Sequence, residues 1–226
     1  MDVDIQFSPS FALAVIAIAP GTQIKAEAGV MTSMSGDVEI QTKAQGGIMA
    51  GLKRQVLGGE SFFINTFRSA AGGSVSVAPP LPGDITKIPV ASSQPLMVAS
   101  GGWIAGDSSV DVDTKYGGSK TFFSGKGLFL LRCTGDGDIL VASYGAILAM
   151  TLEAGQSYTL DTGFVVAFDE SVQYEVHKAG GSWKTTLLGG EGLVTRFTGP
   201  GRLWMQTRSH GDLINWIIPQ LPKTSN

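Results

Sequence analysis

The stretch KAGGSWKTTLLGGEG, Lys178 to Gly192, sets Lys178 and Lys184 among five glycines. A glycine-rich turn can aim backbone N–H groups at a phosphate while a lysine supplies the charge, so phosphate cradling is the first chemistry to weigh. The pattern recurs, as KAQGG from Lys43 followed by GGES from Gly58, and as KYGGSK from Lys115 followed by SGKG from Ser124. A phosphate loop needs one such turn at a helix N-terminus, whereas each of these joins one strand-like segment to another. The glycines therefore read as turn residues needing positive φ, with the lysines solvated beside them.

Metal chemistry would draw on Asp107, Asp111 and Asp113, on the turn Gly135 to Asp138 (GDGD), or on His177 and His210. Asp111 and Asp113 occupy the polar phase of an alternating segment whose counterparts are Glu39, Gln41, Gln173 and Glu175, an interchangeable mixture suited to a solvated face. GDGD lacks the remaining oxygen ligands of a calcium loop and matches GPGR later in the chain, so a hairpin turn is expected. A cupin-like centre requires two or three histidines and a carboxylate converging on one cavity, whereas His177 aligns with Lys43 and Lys115 at the exposed end of a strand and His210 sits beside the C-terminal helix. Neither a metal nor a cofactor is expected. Cys133 aligns with Phe197 and Phe67, an aromatic slot in the core, and reads as a small buried hydrophobe. No serine nucleophile elbow is visible.

Two segments invite contact with something else. The first lies between Lys43 and Gly59 and is longer than its counterparts. It brings Gly46, Gly47, Ile48, Met49 and Leu52 next to Lys53 and Arg54, an interaction loop for a partner, an anionic ligand or a membrane surface. The second is the tail LINWIIPQL, where Leu213, Trp216 and Ile217 are candidates for an oligomer contact. Ser209 or Asp212 would cap a short helix there, stopped before Pro219.

The elements that must position these residues are strands. Val38 and Ile40 alternate with Glu39 and Gln41, Val110 and Val112 with Asp111 and Asp113, and Val172, Tyr174 and Val176 with Gln173, Glu175 and His177. Period two with β-branched or aromatic residues on one side marks a half-buried strand. The three segments head similar units: GVMTSMSGDVEIQTK from Gly29, GWIAGDSSVDVDTK from Gly102 and GFVVAFDESVQYEVHK from Gly163. Upstream lie APGTQIKAEAG, LPGDITKIPV and EAGQSYTLDTG; downstream lie GGESFFINTF, SGKGLFLLRC and GGEGLVTRF. The reading is one all-β domain over residues 1–226, built of three repeats at about 12–80, 81–152 and 153–209, with a tail at 210–226.

Only 15% of the 226 residues are charged and 31 are glycine, with a net charge of −3. Low charge points to apolar surface covered by further copies of the chain, so a homo-oligomer is expected, a trimer being favoured. No basic run supports a nucleic-acid footprint. FALAVIAIA, Phe11 to Ala19, is too short to span a bilayer, and the acidic flank MDVDIQFSPS argues against a targeting peptide, which leaves the cytoplasm as the expected compartment.

AGLKR (Ala50 to Arg54), GGESFF, FFSGKGLFLL, YGAI (Tyr144 to Ile147), DTGFVVAF and GGEGLVTRFTGPGRLWMQTRS together resemble the family named for altered inheritance of mitochondria in yeast, from about Pro20 to Ser209. The resemblance implies a double-stranded β-helix, β-sandwich-like, of the kind grouped with the tryptophan RNA-binding attenuation protein, with three internal repeats set like neighbouring subunits of that ring. It also implies no established enzymatic activity for prokaryotic members, and a mitochondrial role linked to the inner membrane for eukaryotic ones. The expected function is a non-enzymatic oligomeric scaffold or binding protein. The alternatives are a cupin-like metal or small-molecule binding protein, or a membrane-associated or RNA-binding protein by fold analogy.

Overall fold

The computed structural model of the chain describes residues 1–43, 62–113, 129–178 and 193–222. The chain is all-β, and among the described residues there is one short α-helix, at the C-terminal end. After β1 (Asp2–Gln6), the strands fall into three sets of six. The first set is β2 (Leu13–Ile18), β3 (Gln23–Glu27), β4 (Met31–Met34), β5 (Glu39–Lys43), β6 (Ile64–Arg68) and β7 (Gly73–Val77). The second is β8 (Ile85–Val90), β9 (Leu96–Ala99), β10 (Trp103–Asp107), β11 (Val110–Asp113), β12 (Leu130–Gly135) and β13 (Gly137–Ala142). The third is β14 (Ile147–Leu152), β15 (Ser157–Asp161), β16 (Val165–Asp169), β17 (Gln173–Lys178), β18 (Leu193–Thr198) and β19 (Gly201–Gln206).

Four antiparallel sheets result, in the orders β1-β2-β7-β4, β5-β6-β3-β10-β13-β8, β11-β12-β9-β16-β19-β14 and β15-β18-β17. Every set obeys one rule. Its first, sixth and third strands pair in one triplet, and its second, fifth and fourth in another. The second strand of a set then pairs with the third strand of the next, β3 with β10 and β9 with β16, which welds consecutive sets into six-stranded sheets. The third strand also carries a bulge at the same station in each set, between Met31 and Ser33, Trp103 and Ala105, and Val165 and Ala167.

This register aligns Trp103 with Met31, so Gly101 rather than Gly102 corresponds to Gly29, one residue away from the match read in the sequence. LPGDITKIPV is likewise not the counterpart of APGTQIKAEAG: Ile85–Val90 is a first strand, equivalent to β2 and β14, and the counterpart of β3 is β9. The hydrophobic match was real, but it compared strands of opposite neighbours.

Burial follows the alternation. Phe67, Cys133 and Phe197 stand at one station of the fifth strand, facing Ile24, Leu96 and Tyr158 across the ladder, and all three are fully buried. Each of the two phenylalanines contributes roughly 1.5–3 kcal/mol by leaving water. The core clusters cross the joints: Ile104, Ala105 and Leu140 of the second set pack with Ile16, Phe67 and Val75 of the first, and Trp204 of the third packs with Leu96, Trp103 and Ile139 of the second. No set encloses its hydrophobic residues by itself. The helix α1 (His210–Ile217) starts at Ser209, whose hydroxyl accepts the Asp212 N–H at 3.1 Å, and gives way to a 3-10 turn holding Pro219. No helix among the described residues is long and apolar enough to cross a membrane.

Candidate functional site

The carboxylates that could have formed a site are tied into the frame. At the end of each third strand a side-chain oxygen accepts the N–H of the second residue of the sixth strand. Asp107 accepts from Asp138 at 2.7 Å, Asp169 from Arg202 at 2.7 Å, and Ser35 Oγ from Ser74 at 3.1 Å. Asp107 also receives the Met1 amine at 3.2 Å, which Asp138 shares at 3.0 Å. Burial works against the charge on that amine, but its hydrogen bonds to Asp138 and Asp107 and their attraction outweigh it and leave the group above its ordinary pKa. Asp169 is fully buried, with Arg202 Nε and Nη2 on its oxygens at 3.0 and 2.8 Å and Gln94 Nε2 at 3.1 Å. Arg202 also lies 5.0 Å over the Trp204 ring. A second bidentate pair joins Arg132 to Glu170 at 2.7 and 2.9 Å. Asp169–Arg202 joins two strands of the third set and Arg132–Glu170 crosses from the second set to the third, and the sequence offered no sign of their partners.

Asp111 and Asp113 point outward, and Asp111 meets Lys25 Nζ at 3.2 Å. The GDGD stretch is the hairpin turn between β12 and β13, where the Ser92 hydroxyl and N–H hold the exposed Asp136 carboxyl below the usual carboxylate range. His177 sits exposed on β17, 3.2 Å from Glu175, while His210 opens α1 with its ring 5.8 Å from that of Tyr144. Among the described residues no group of three or more His, Cys, Asp or Glu side chains is placed to hold a metal ion. A shallow cleft lies where the second and third sets meet, lined by Ala99, Ser100, Gly102, Val165, Gln206 and His210.

Burial pushes the Cys133 thiol up to about 12, so almost none of it is thiolate at neutral pH. A thiol reagent is expected to leave the native protein unmodified and to label Cys133 only at the rate of global unfolding, measured by following label uptake across a urea series; fast labelling without urea would contradict this placement.

The interaction loop, residues 46–54, lies outside the described residues. So does nearly all of KAGGSWKTTLLGGEG. The strands that flank these segments are antiparallel neighbours, with Lys43 opposite Ile64, Asp113 opposite Arg132 and Lys178 opposite Leu193, so each connects the fourth strand of a set to the fifth. On α1, Leu213 is half-buried whereas Trp216 (69% exposed) and Ile217 are exposed, and the helix buries no residue against its own sheets.

Among the described residues, exposed apolar surface falls in the first and last parts of the chain. Phe7, Phe11, Met31, Met34 and Ile40 are exposed in the first part of the chain, and Leu148, Tyr158, Tyr174, Ile214, Trp216 and others in the last. The second set exposes no large hydrophobic side chain among the described residues. Sequence reasoning missed this asymmetry because the three units read alike.

Comparison with known proteins gives one consistent answer. Residues 3–208 match the family described as Mitochondrial biogenesis AIM24. An uncharacterised protein of Streptococcus pyogenes serotype M6 is 28% identical over 234 residues, covering 100% of this chain and 93% of that protein. An X-ray crystal structure of a protein from Streptococcus pyogenes superimposes with a TM-score of 0.79 at 26% identity, over 97% of this chain and 99% of the other.

Proposed function

The chain belongs to the Mitochondrial biogenesis AIM24 family, and from that premise we propose that it acts without enzymatic chemistry, as a scaffold or binding protein assembled from several copies of itself. The observation that carries this reading is that, among the described residues, exposed large hydrophobic side chains lie at Phe7 and Phe11, in the first and third strand sets and in the C-terminal helical segment, and none lies in the second set. Apolar surface concentrated in this way marks contact with a partner. The buried Asp169 is neutralised by Arg202, and Asp107 by the Met1 amine, so these groups serve the frame. A cytoplasmic setting goes with the reading, since a lone cysteine cannot close a disulfide within the chain.

Elemental analysis and mass spectrometry of the purified chain test it. The expected result is no metal or small molecule at one equivalent per chain. A stoichiometric metal that disappears in His177→Ala or His210→Ala would instead establish the metal-binding alternative, and salt-dependent retardation of RNA would establish the nucleic-acid one.

A further inference from the structure

Resting on the assembly reading above, and naming its joint, we infer that β15 of one copy pairs antiparallel with β4 of the next, continuing the sheet across the two chains. The warrant is the repeated pairing rule. Within the chain the second strand of a set always meets the third strand of the following set, at β3–β10 and β9–β16. The rule leaves two strands without that neighbour: β4, a third strand with no set before it, and β15, a second strand with no set after it. One copy therefore ends in the half-joint that another copy's start completes.

Burial shows what is missing at each half. The residues equivalent to Met31 and Met34 are Trp103 and Gly106 in the second set and Val165 and Phe168 in the third, and those four are buried. Met31 and Met34 are 37% and 41% exposed. Likewise Tyr158 stands where Ile24 and Leu96 are 5% and 0% exposed, yet it is 37% exposed. The positions are hydrophobic as the joint requires, and among the described residues no strand pairs beside them there. Edge protection agrees. β1, β5, β8, β11 and β17 carry charge or proline, which blunts an open edge, whereas β4 (Met31–Met34) carries neither and β15 carries one charge, at its last residue Asp161, whose carboxylate accepts the Gly163 N–H at 2.7 Å. β14 is also free of charge, but its only precedent for an outer partner is β1 on β2, and β1 is already used there.

The register follows from the internal joints. Ala105 faces Ala26, Gly106 faces Lys25 and Asp107 faces Ile24, and β9–β16 repeats this with Ala167 facing Val98 and Phe168 facing Met97. Carried to the open ends, Ser33 faces Leu160, Met34 faces Thr159 and Ser35 faces Tyr158. The contact joins two different surfaces, so copies follow one another head to tail into a closed ring or an extending array.

Disulfide trapping tests the joint with variants at exposed positions. Met34→Cys and Thr159→Cys chains, each carrying one new cysteine beside the buried Cys133, are mixed and oxidised under mild conditions. Directly opposed strand residues bring their Cα atoms within disulfide range, while a shift of two residues does not. The expected result is a covalent dimer in the mixture, at least several-fold more than from either variant alone or from Met34→Cys mixed with Ser157→Cys. Met34→Asp and Tyr158→Asp, each placing a charge in the joint, are expected to reduce the assembled mass to that of a single chain. Equal cross-linking in all mixtures, or assembly unaffected by both charges, would overturn the joint. An assembly that persists without the cross-link would leave the scaffold reading standing, whereas a resident metal or ligand in a protein that does cross-link would remove that reading and keep the joint.

Discussion

Replacement of Asp169 by alanine is expected to cost about 3 kcal/mol of stability, read as a lowered midpoint in urea unfolding at unchanged slope. Asp169 is fully buried and accepts from the Arg202 guanidinium, from the Arg202 backbone N–H and from Gln94. Removing it strands those donors in the joint between the second and third sets. The partly exposed Arg202 can recover some water, which places the loss at the lower end of what a broken buried pair costs. The first set supplies its own control, because the same station there is held by Ser35 and Ser74 without any charge. Asp169→Ser combined with Arg202→Ser is therefore expected to lose less than the sum of the single changes, the coupling of residues that act in one network. Additive losses would show that the pair does not act as one unit.

Gly83→Ala is expected to be at least as damaging, with loss of more than about 3 kcal/mol or failure to yield soluble protein. A Cβ at Gly83 would overlap the backbone carbonyl oxygen of Ser143 and lie 3.2 Å from the nitrogen of Gly145. Backbone atoms cannot rotate away as a side chain would. The strip is also a hydrogen-bonded spine between strand sets: Gly83 forms a parallel bridge with Gly145, the Ala12 N–H donates to the Gly83 carbonyl at 2.9 Å, and the Asp84 N–H donates to the Gly145 carbonyl at 3.1 Å. Gly36 offers the comparison, since a Cβ there meets nothing within 4 Å and its φ is not positive. Gly36→Ala should unfold within about 0.5 kcal/mol of the natural sequence. Equal behaviour of the two variants in thermal unfolding would contradict the close approach.

The family and the all-β class were legible because they rest on local signals: alternating Val, Ile and Tyr positions, glycine-rich turns, and motifs such as DTGFVVAF kept in order. The Cys133 station was legible for the same reason, its neighbours Arg132 and Thr134 matching Arg196 and Thr198 beside Phe197. Strand equivalence was legible only in part. Gly102 looked like the partner of Gly29 because each precedes a hydrophobic pair, yet the shared bulge fixes Gly101 there. Ile85–Val90 resembled a second strand because periodicity reports a buried face and not the identity of the neighbour. The ion pairs Asp169–Arg202 and Arg132–Glu170 join residues more than thirty positions apart, and no local pattern connects them. The open edges were hidden for a further reason. Met31, Met34 and Tyr158 look like ordinary core residues in sequence, and only the pairing order shows that one chain cannot bury them alone.

Light scattering on the chain as it elutes from size exclusion, repeated over a hundredfold range of concentration, tests head-to-tail assembly most directly. The expected mass is a multiple of 23.6 kDa, either a single closed value or one that climbs with concentration. A constant 23.6 kDa across the whole range would contradict it.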